Sequence, residues 1–116
     1  MNHGNESGYV IQIIQTGGYI HNIGYKNEKN IRIIGDVGLK CAAFMISGDI
    51  IVQGKAGAEA GYWMKGGRLT IEQDAWREVG HYLVGGEIHV QGKIKGISRM
   101  IMSGKIFHNG ELIADK

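Results

Sequence analysis

The chain has 116 residues, with 13 basic and 11 acidic side chains for a net charge of +2, one cysteine, twenty glycines and no proline. That length accommodates one domain, and charges scattered without long runs demand no polyanionic partner, so no nucleic-acid partner is expected. The lone Cys41 excludes an intrachain disulfide framework or thiolate metal site and favours a cytoplasmic setting, while abundant glycine without proline favours a many-cornered β structure.

In chain order, the first segment is Met1-Asn2-His3-Gly4-Asn5-Glu6-Ser7, which lacks the basic-then-apolar signature of a signal peptide. No uninterrupted apolar stretch approaches the ~20 residues of a membrane span, so a soluble chain without a membrane partner is expected. Residues 9–14, Tyr9-Val10-Ile11-Gln12-Ile13-Ile14, predict a strand that pairs with the one through Ile31 and Ile33. Residues 17–30 read as a polar, irregular insertion, and residues 1–30 together as an N-terminal cap.

From residue 31 to 116 a repeat takes over. Ser47-Gly48-Asp49-Ile50-Ile51-Val52-Gln53-Gly54 returns nineteen residues later as Gly66-Gly67-Arg68-Leu69-Thr70-Ile71-Glu72-Gln73 and again as Gly85-Gly86-Glu87-Ile88-His89-Val90-Gln91-Gly92. Gly104 comes one residue early, so the last step is eighteen. A fixed period of this length marks a solenoid, whose units bury their apolar sides by stacking on their neighbours. Ile31, Ile50, Leu69, Ile88 and Ile106 form one apolar column, and Ile33, Val52, Ile71, Val90 and His108 form a second column two positions along, so both should point inward. Just before them, Asn30, Asp49, Arg68, Glu87 and Lys105 alternate in charge. Coils about 4.8 Å apart would stack these as an exposed ladder that sets register and adds about 0.2–1 kcal/mol per pair.

The strand-closing column is Gly35, Gly54, Gln73, Gly92 and Gly110, followed by Gly38 and Gly57, whose later places are taken by Trp76 and Lys95. Ala42, Gly61, Gly80 and Ser98 form a further column of small residues, as close backbone approach requires. A second short strand is predicted through the core residues Met45, Met64, Leu83 and Ile101, leaving Phe44, Trp63 and Tyr82 as a partly exposed stripe; the alternative is that these rings pack against a corner or a terminal segment. Glu111 to Lys116 is short, so the strand edge around Phe107 is expected to be open. The fold class that follows is all-β, a right-handed parallel β-helix with turns of about nineteen residues. A left-handed hexapeptide coil would need small or aliphatic residues every six positions, and Ile50, Ala56, Tyr62, Arg68 does not supply them.

The run from Gly48 to Gly67, with Gly54, Gly57 and Gly61 followed by Met64 and Gly66-Gly67, resembles the GXGXG domain. Such domains form the C-terminal part of the glutamate synthase large subunit and one of the subunits of formylmethanofuran dehydrogenase. The resemblance covers roughly residues 30–110, with Gln73, Trp76, Lys95 and Ala42 departing from the glycine pattern. It implies a β-helix without catalytic residues that holds other domains or subunits of an oxidoreductase in position.

No constellation of reactive groups competes with that expectation. His89 and His108 fall in columns of opposite facing, and His3, His21 and His81 stand apart from them, so no metal is expected. Ser47, Ser98 and Ser103 lack the G-x-S-x-G elbow, and Cys41 opens a small-residue segment suited to burial. Gly54 to Gly61 has phosphate-loop spacing without the G-K-[ST] and helix that would complete it, so no cofactor is expected. Three functional expectations remain: a non-catalytic scaffold docked on larger enzyme subunits through Phe44, Trp63, Tyr82, Ile51 and Phe107; a stand-alone homo-oligomer associating through an exposed end or apolar column; and a small esterase or hydrolase resting on Ser47 or Ser98.

Overall fold

Alternating apolar residues with no proline yield seven short strands: β1 (Tyr9–Gln12), β2 (Ile31–Ile34), β3 (Asp49–Val52), β4 (Arg68–Ile71), β5 (Glu87–Val90), β6 (Lys105–His108) and β7 (Glu111–Asp115). They were located in a computed structural model describing residues 8–14 and 18–116. One sheet holds them in sequence order, parallel from β1 to β6, so the chain climbs as a β-solenoid. No helix occurs among the described residues, so none is long and apolar enough to cross a membrane.

The register reproduces the sequence columns. Ile31 pairs with Ile50, Ile50 with Leu69, Leu69 with Ile88, and Ile88 with Ile106. Ile50, Leu69, Ile88 and Ile106 are fully buried, as are Ile33, Val52, Ile71 and Val90 of the second column. His108 ends that second column half-buried, with Nε2 2.7 Å from the Gly92 carbonyl oxygen, so the column closes on a hydrogen bond rather than an apolar contact. Asp49, Arg68, Glu87 and Lys105 stack in register, and Arg68 Nε lies 3.5 Å from Glu87 Oε1. This pair is well exposed, so it orders the coils more than it stabilises them.

A second ladder runs through single parallel bridges at Val37, Ala56, Ala75 and Ile94. The next bridge joins Val79 to Ile97, so the eighteen-residue last step arises where Trp76-Arg77-Glu78 shortens to Lys95-Gly96. Glu78 has a positive φ, and the shortened turn drops that residue.

The predicted second strand is not a strand. Met45, Met64 and Leu83 are fully buried and Ile101 packs against the core, as expected, but the backbone here is a succession of turns. Three successive coils each set three alternate residues in the left-handed region: Lys40, Ala42 and Phe44; Glu59, Gly61 and Trp63; Glu78, Gly80 and Tyr82, whereas Gly96, Ser98 and Met100 of the last coil do not adopt it. Non-glycine residues adopt this conformation at a cost of about 1–3 kcal/mol each, which persists only where neighbouring structure enforces it. Here the enforcing structure is the adjacent coil: Phe44 N–H donates to the Tyr62 carbonyl, Trp63 to His81 and Tyr82 to Met100.

Residues 18–30 contain no strand, yet they belong to the same pattern rather than interrupting it. Asn22, Gly24 and Lys26 carry the three positive φ angles, and Ala42 N–H donates to the Ile23 carbonyl at 2.8 Å. Asn27 opens the Met45 column, and its buried amide donates to the Lys29 carbonyl at 2.6 Å. β1 pairs with β2 as predicted, Tyr9 opposite Ile31 and Ile11 opposite Ile33.

At the other end the expectation of an open edge is corrected. β7 reverses direction and pairs antiparallel with β6, with Leu112 opposite Phe107 and Ala114 opposite Ile106. The turn at Asn109-Gly110 permits this because both residues have positive φ, the requirement of a tight hairpin.

The glycine pairs have a steric cause. Gly48, Gly67 and Gly86 sit at φ between 83° and 85°, and a Cβ on Gly67 would lie 2.7 Å from the Gly48 carbonyl oxygen of the preceding coil. Both the backbone conformation and the packing of coil on coil demand the missing side chain.

Candidate functional site

The alternating-handed turns determine where the aromatic side chains go. With φ of 57°, 52° and 58°, Phe44, Trp63 and Tyr82 turn outward while their successors Met45, Met64 and Leu83 turn into the core. The rings form a ladder along the solenoid rather than an isolated stripe. Phe44 and Trp63 are stacked at 6.2 Å and Trp63 and Tyr82 at 5.1 Å, while Tyr25, Tyr62 and His81 fill the flanks at 5.7, 5.8 and 4.2 Å from Phe44, Phe44 and Tyr82 respectively. Lys40 Nζ lies 4.5 Å from the Tyr62 ring centre. Each ring contact of this kind contributes about 0.5–1.5 kcal/mol, so the surface is held in a single arrangement.

Ile51 and Phe107 occupy a different column, on the outer face of the sheet, with Arg32, Thr70 and His89. Phe107 stacks on His89 at 4.4 Å, and His89 Nε2 is 2.9 Å from Glu87 Oε1. The five candidate interface residues therefore form two separate surfaces.

The hydrolase expectation meets a specific geometry. His81 Nδ1 is 2.8 Å from Ser98 Oγ and 3.2 Å from Glu78 Oε1. A serine–histidine–acid relay needs serine and acid on opposite ring nitrogens, whereas here they share one. Ser98 is buried, and its Oγ also accepts the Met100 N–H at 2.9 Å, which is the chemistry of a turn cap. Ser47 and Ser103 are exposed and lie in turns of the ladder.

Cys41 is fully buried, and burial pushes its thiol pKa up to about 12, so thiolate is scarce at neutral pH. Among the described residues no three of His, Cys, Asp and Glu converge to hold a metal ion; His3 lies outside them. The glycines Gly54 and Gly57 approach the backbone of the preceding coil, at Gly35 and Gly38, and not an open phosphate-sized cradle.

Two features escape a reading of the sequence by its apolar columns. Asp36, Lys55, Asp74 and Lys93 form a second column of alternating charge, in which Asp36 Oδ1 accepts the Lys55 N–H at 2.7 Å and Asp74 Oδ1 the Lys93 N–H at 2.9 Å. The nineteen-residue spacing is the signal that could have found it. Beside this column runs a groove of about 310 Å³, floored by Gly38, Ala56, Gly57 and Ala75 and bounded by Tyr19 and Trp76. Trp76 stands here because it replaces the glycine of earlier coils, with Lys95 Nζ 5.1 Å from its ring centre. Compared with protein-family models, curated proteins and solved structures, the chain matches none.

Proposed function

We propose that this chain is a non-catalytic structural module that docks onto the subunits of a larger cytoplasmic oxidoreductase. The observation that carries the reading is the aromatic ladder from Tyr25 to Tyr82. It is half-exposed, pre-ordered by its own ring contacts, and mounted on a backbone that adopts unfavourable φ angles to present it. Rigid aromatic anchors lose little entropy on association and are the residue types that dominate interface energetics. The resemblance of Gly54, Gly57, Gly61, Met64 and Gly66-Gly67 to the GXGXG domain of glutamate synthase and formylmethanofuran dehydrogenase supports the same reading. In it, Phe44, Trp63 and Tyr82 form the contact surface, and the column of Ile51 and Phe107 serves a second, weaker contact.

The experiment is affinity purification of the tagged chain from its host, with mass spectrometry of the bound material, run in parallel on Trp63→Ala. The expected result is recovery of amidotransferase, synthase or molybdenum or tungsten enzyme subunits in stoichiometric amount, lost in a folded Trp63→Ala variant. Recovery of the chain alone, or of the same subunits with Trp63→Ala, overturns the proposal.

A further inference from the structure

The two edges of the sheet differ in chemistry. At the C-terminal edge β7 carries Glu111 and Asp115 and pairs with β6 through an irregular register at Ile106 and Phe107, features that discourage another strand from adding there. At the N-terminal edge β1 is Tyr-Val-Ile-Gln, without charge, proline or bulge, and no described strand lies beyond it. Its N–H groups at Tyr9 and Ile13 donate inward to Asn30 and Ile34. In a parallel ladder that leaves the N–H and C=O of Val10 and Gln12 pointing away from the sheet.

The core is also unfinished at this end. Tyr9 and Ile11 continue the two inward columns, yet they are 58% and 36% exposed, where Ile50 and Val52 two coils further on are 0%. Tyr19, Ile20 and Tyr25 of the same coil are each at least half exposed. An added peptide strand would satisfy Val10 and Gln12 but leave those side chains uncovered. A second solenoid end covers both.

We infer that the chain forms a two-fold dimer through antiparallel pairing of β1 with β1 of a second copy, with the axis at Ile11. Directly opposed residues of antiparallel strands share a face, so inward residues must meet inward residues. Placing the axis at Ile11 does this: Val10 pairs with Gln12 of the other copy twice over, using every outward backbone group of the strand. Ile11 then meets its own copy on the core side, and the two seven-stranded sheets become one. Charge favours this pairing over its rivals. Two neutral β1 edges bring no like charges together, β7 against β7 would juxtapose carboxylates, and β1 offers no cation to receive the β7 carboxylates head to tail.

Sedimentation equilibrium and oxidative cross-linking test it on the full chain. Wild type is expected at twice its 12.7 kDa mass. Val10→Pro removes an outward N–H without touching the β1–β2 bonds and is expected to weaken the dimer at least about tenfold with an unchanged circular dichroism spectrum. Ile11→Cys is expected to form an intermolecular disulfide, since opposed residues that do not share hydrogen bonds sit at a Cα separation of about 4.5 Å, within disulfide range. Val10→Cys is expected not to, and buried Cys41 does not interfere. A monomer up to about 100 µM, a concentration that excludes all but weak association, overturns the inference. So does a dimer indifferent to Val10→Pro, a Val10→Cys variant that cross-links in place of Ile11→Cys, or an assembly that grows beyond two chains.

Discussion

Three alanine substitutions separate the two demands that the glycine columns place on the chain. Gly67 has both constraints: φ of 85° and a would-be Cβ 2.7 Å from the Gly48 carbonyl oxygen, with Met45 Cε at 2.8 Å. Gly110 has φ of 82° with nothing within 4 Å, and Gly96 has neither positive φ nor a close neighbour. A left-handed alanine costs about 1–2 kcal/mol. Forcing an atom into a packed backbone contact adds typically about 1–3 kcal/mol, and more where, as here, the obstacle is main chain held in a ladder. Gly67→Ala is therefore expected to lose about 2–5 kcal/mol, a large fraction of a typical domain's stability of about 5–15 kcal/mol. Gly110→Ala should lose only the conformational part, about 1–2 kcal/mol, and Gly96→Ala should gain about 0.4–1 kcal/mol by restricting the unfolded chain. Urea unfolding followed by far-ultraviolet circular dichroism at 25 °C reads all three. Equal losses for Gly67→Ala and Gly110→Ala would refute the claim that the approach of coil to coil, and not φ alone, selects glycine.

Native protein at pH 8 is expected to leave Cys41 unmodified by a thiol reagent such as DTNB and to react fully in denaturant; rapid native labelling would contradict its burial. Glu87 is held below its ordinary carboxyl pKa of 4.5, first by the hydrogen bond from His89 and then by the Arg68 charge. A depressed native value stabilises above the unfolded pKa and ceases to as pH falls through the native one, so Glu87→Gln should be slightly less stable than wild type at neutral pH. That gap should close in acid below pH 4.5, and a gap independent of pH would assign it to packing instead. Asp74→Ala removes the acceptor for the Lys93 N–H and is expected to cost about 1 kcal/mol in thermal or urea unfolding. Asp74→Asn, which retains an acceptor oxygen, should recover most of it.

The strands are legible in the sequence because an inward isoleucine or valine every second residue, returning after nineteen, admits one stacking. The turn segment is not, and for a physical reason. Reversing the backbone hand at every other residue throws successive side chains to opposite sides, as pleating does, so Phe44 out and Met45 in is the pattern of either. Aromatic residues with positive φ are also unusual enough that a strand is the natural expectation. The aromatic stripe can be read from the columns, but its flanks Tyr25, Tyr62 and His81 depend on that turn geometry. The contact between His81 and Ser98 spans seventeen residues, off the period of the repeat, because the last coil has lost a residue and the contact runs diagonally, Ser98 standing opposite Gly80. Residues 18–30 conceal their membership in the ladder because Asn27 stands where later coils place Met45, Met64 and Leu83.

The reversed strand β7 also constrains how a protein of this kind can change length. Each coil bears only on its neighbours, so an extra nineteen-residue unit between two existing coils keeps the apolar columns and the glycine pair in step and sets only exposed like charges side by side in the alternating columns. Appended after β7, the same unit would meet a strand running the wrong way. The molecule is thus a measuring rod graduated in steps of one coil and stopped at one end, on which a tandem duplication is tolerated or rejected according to where along the gene it falls.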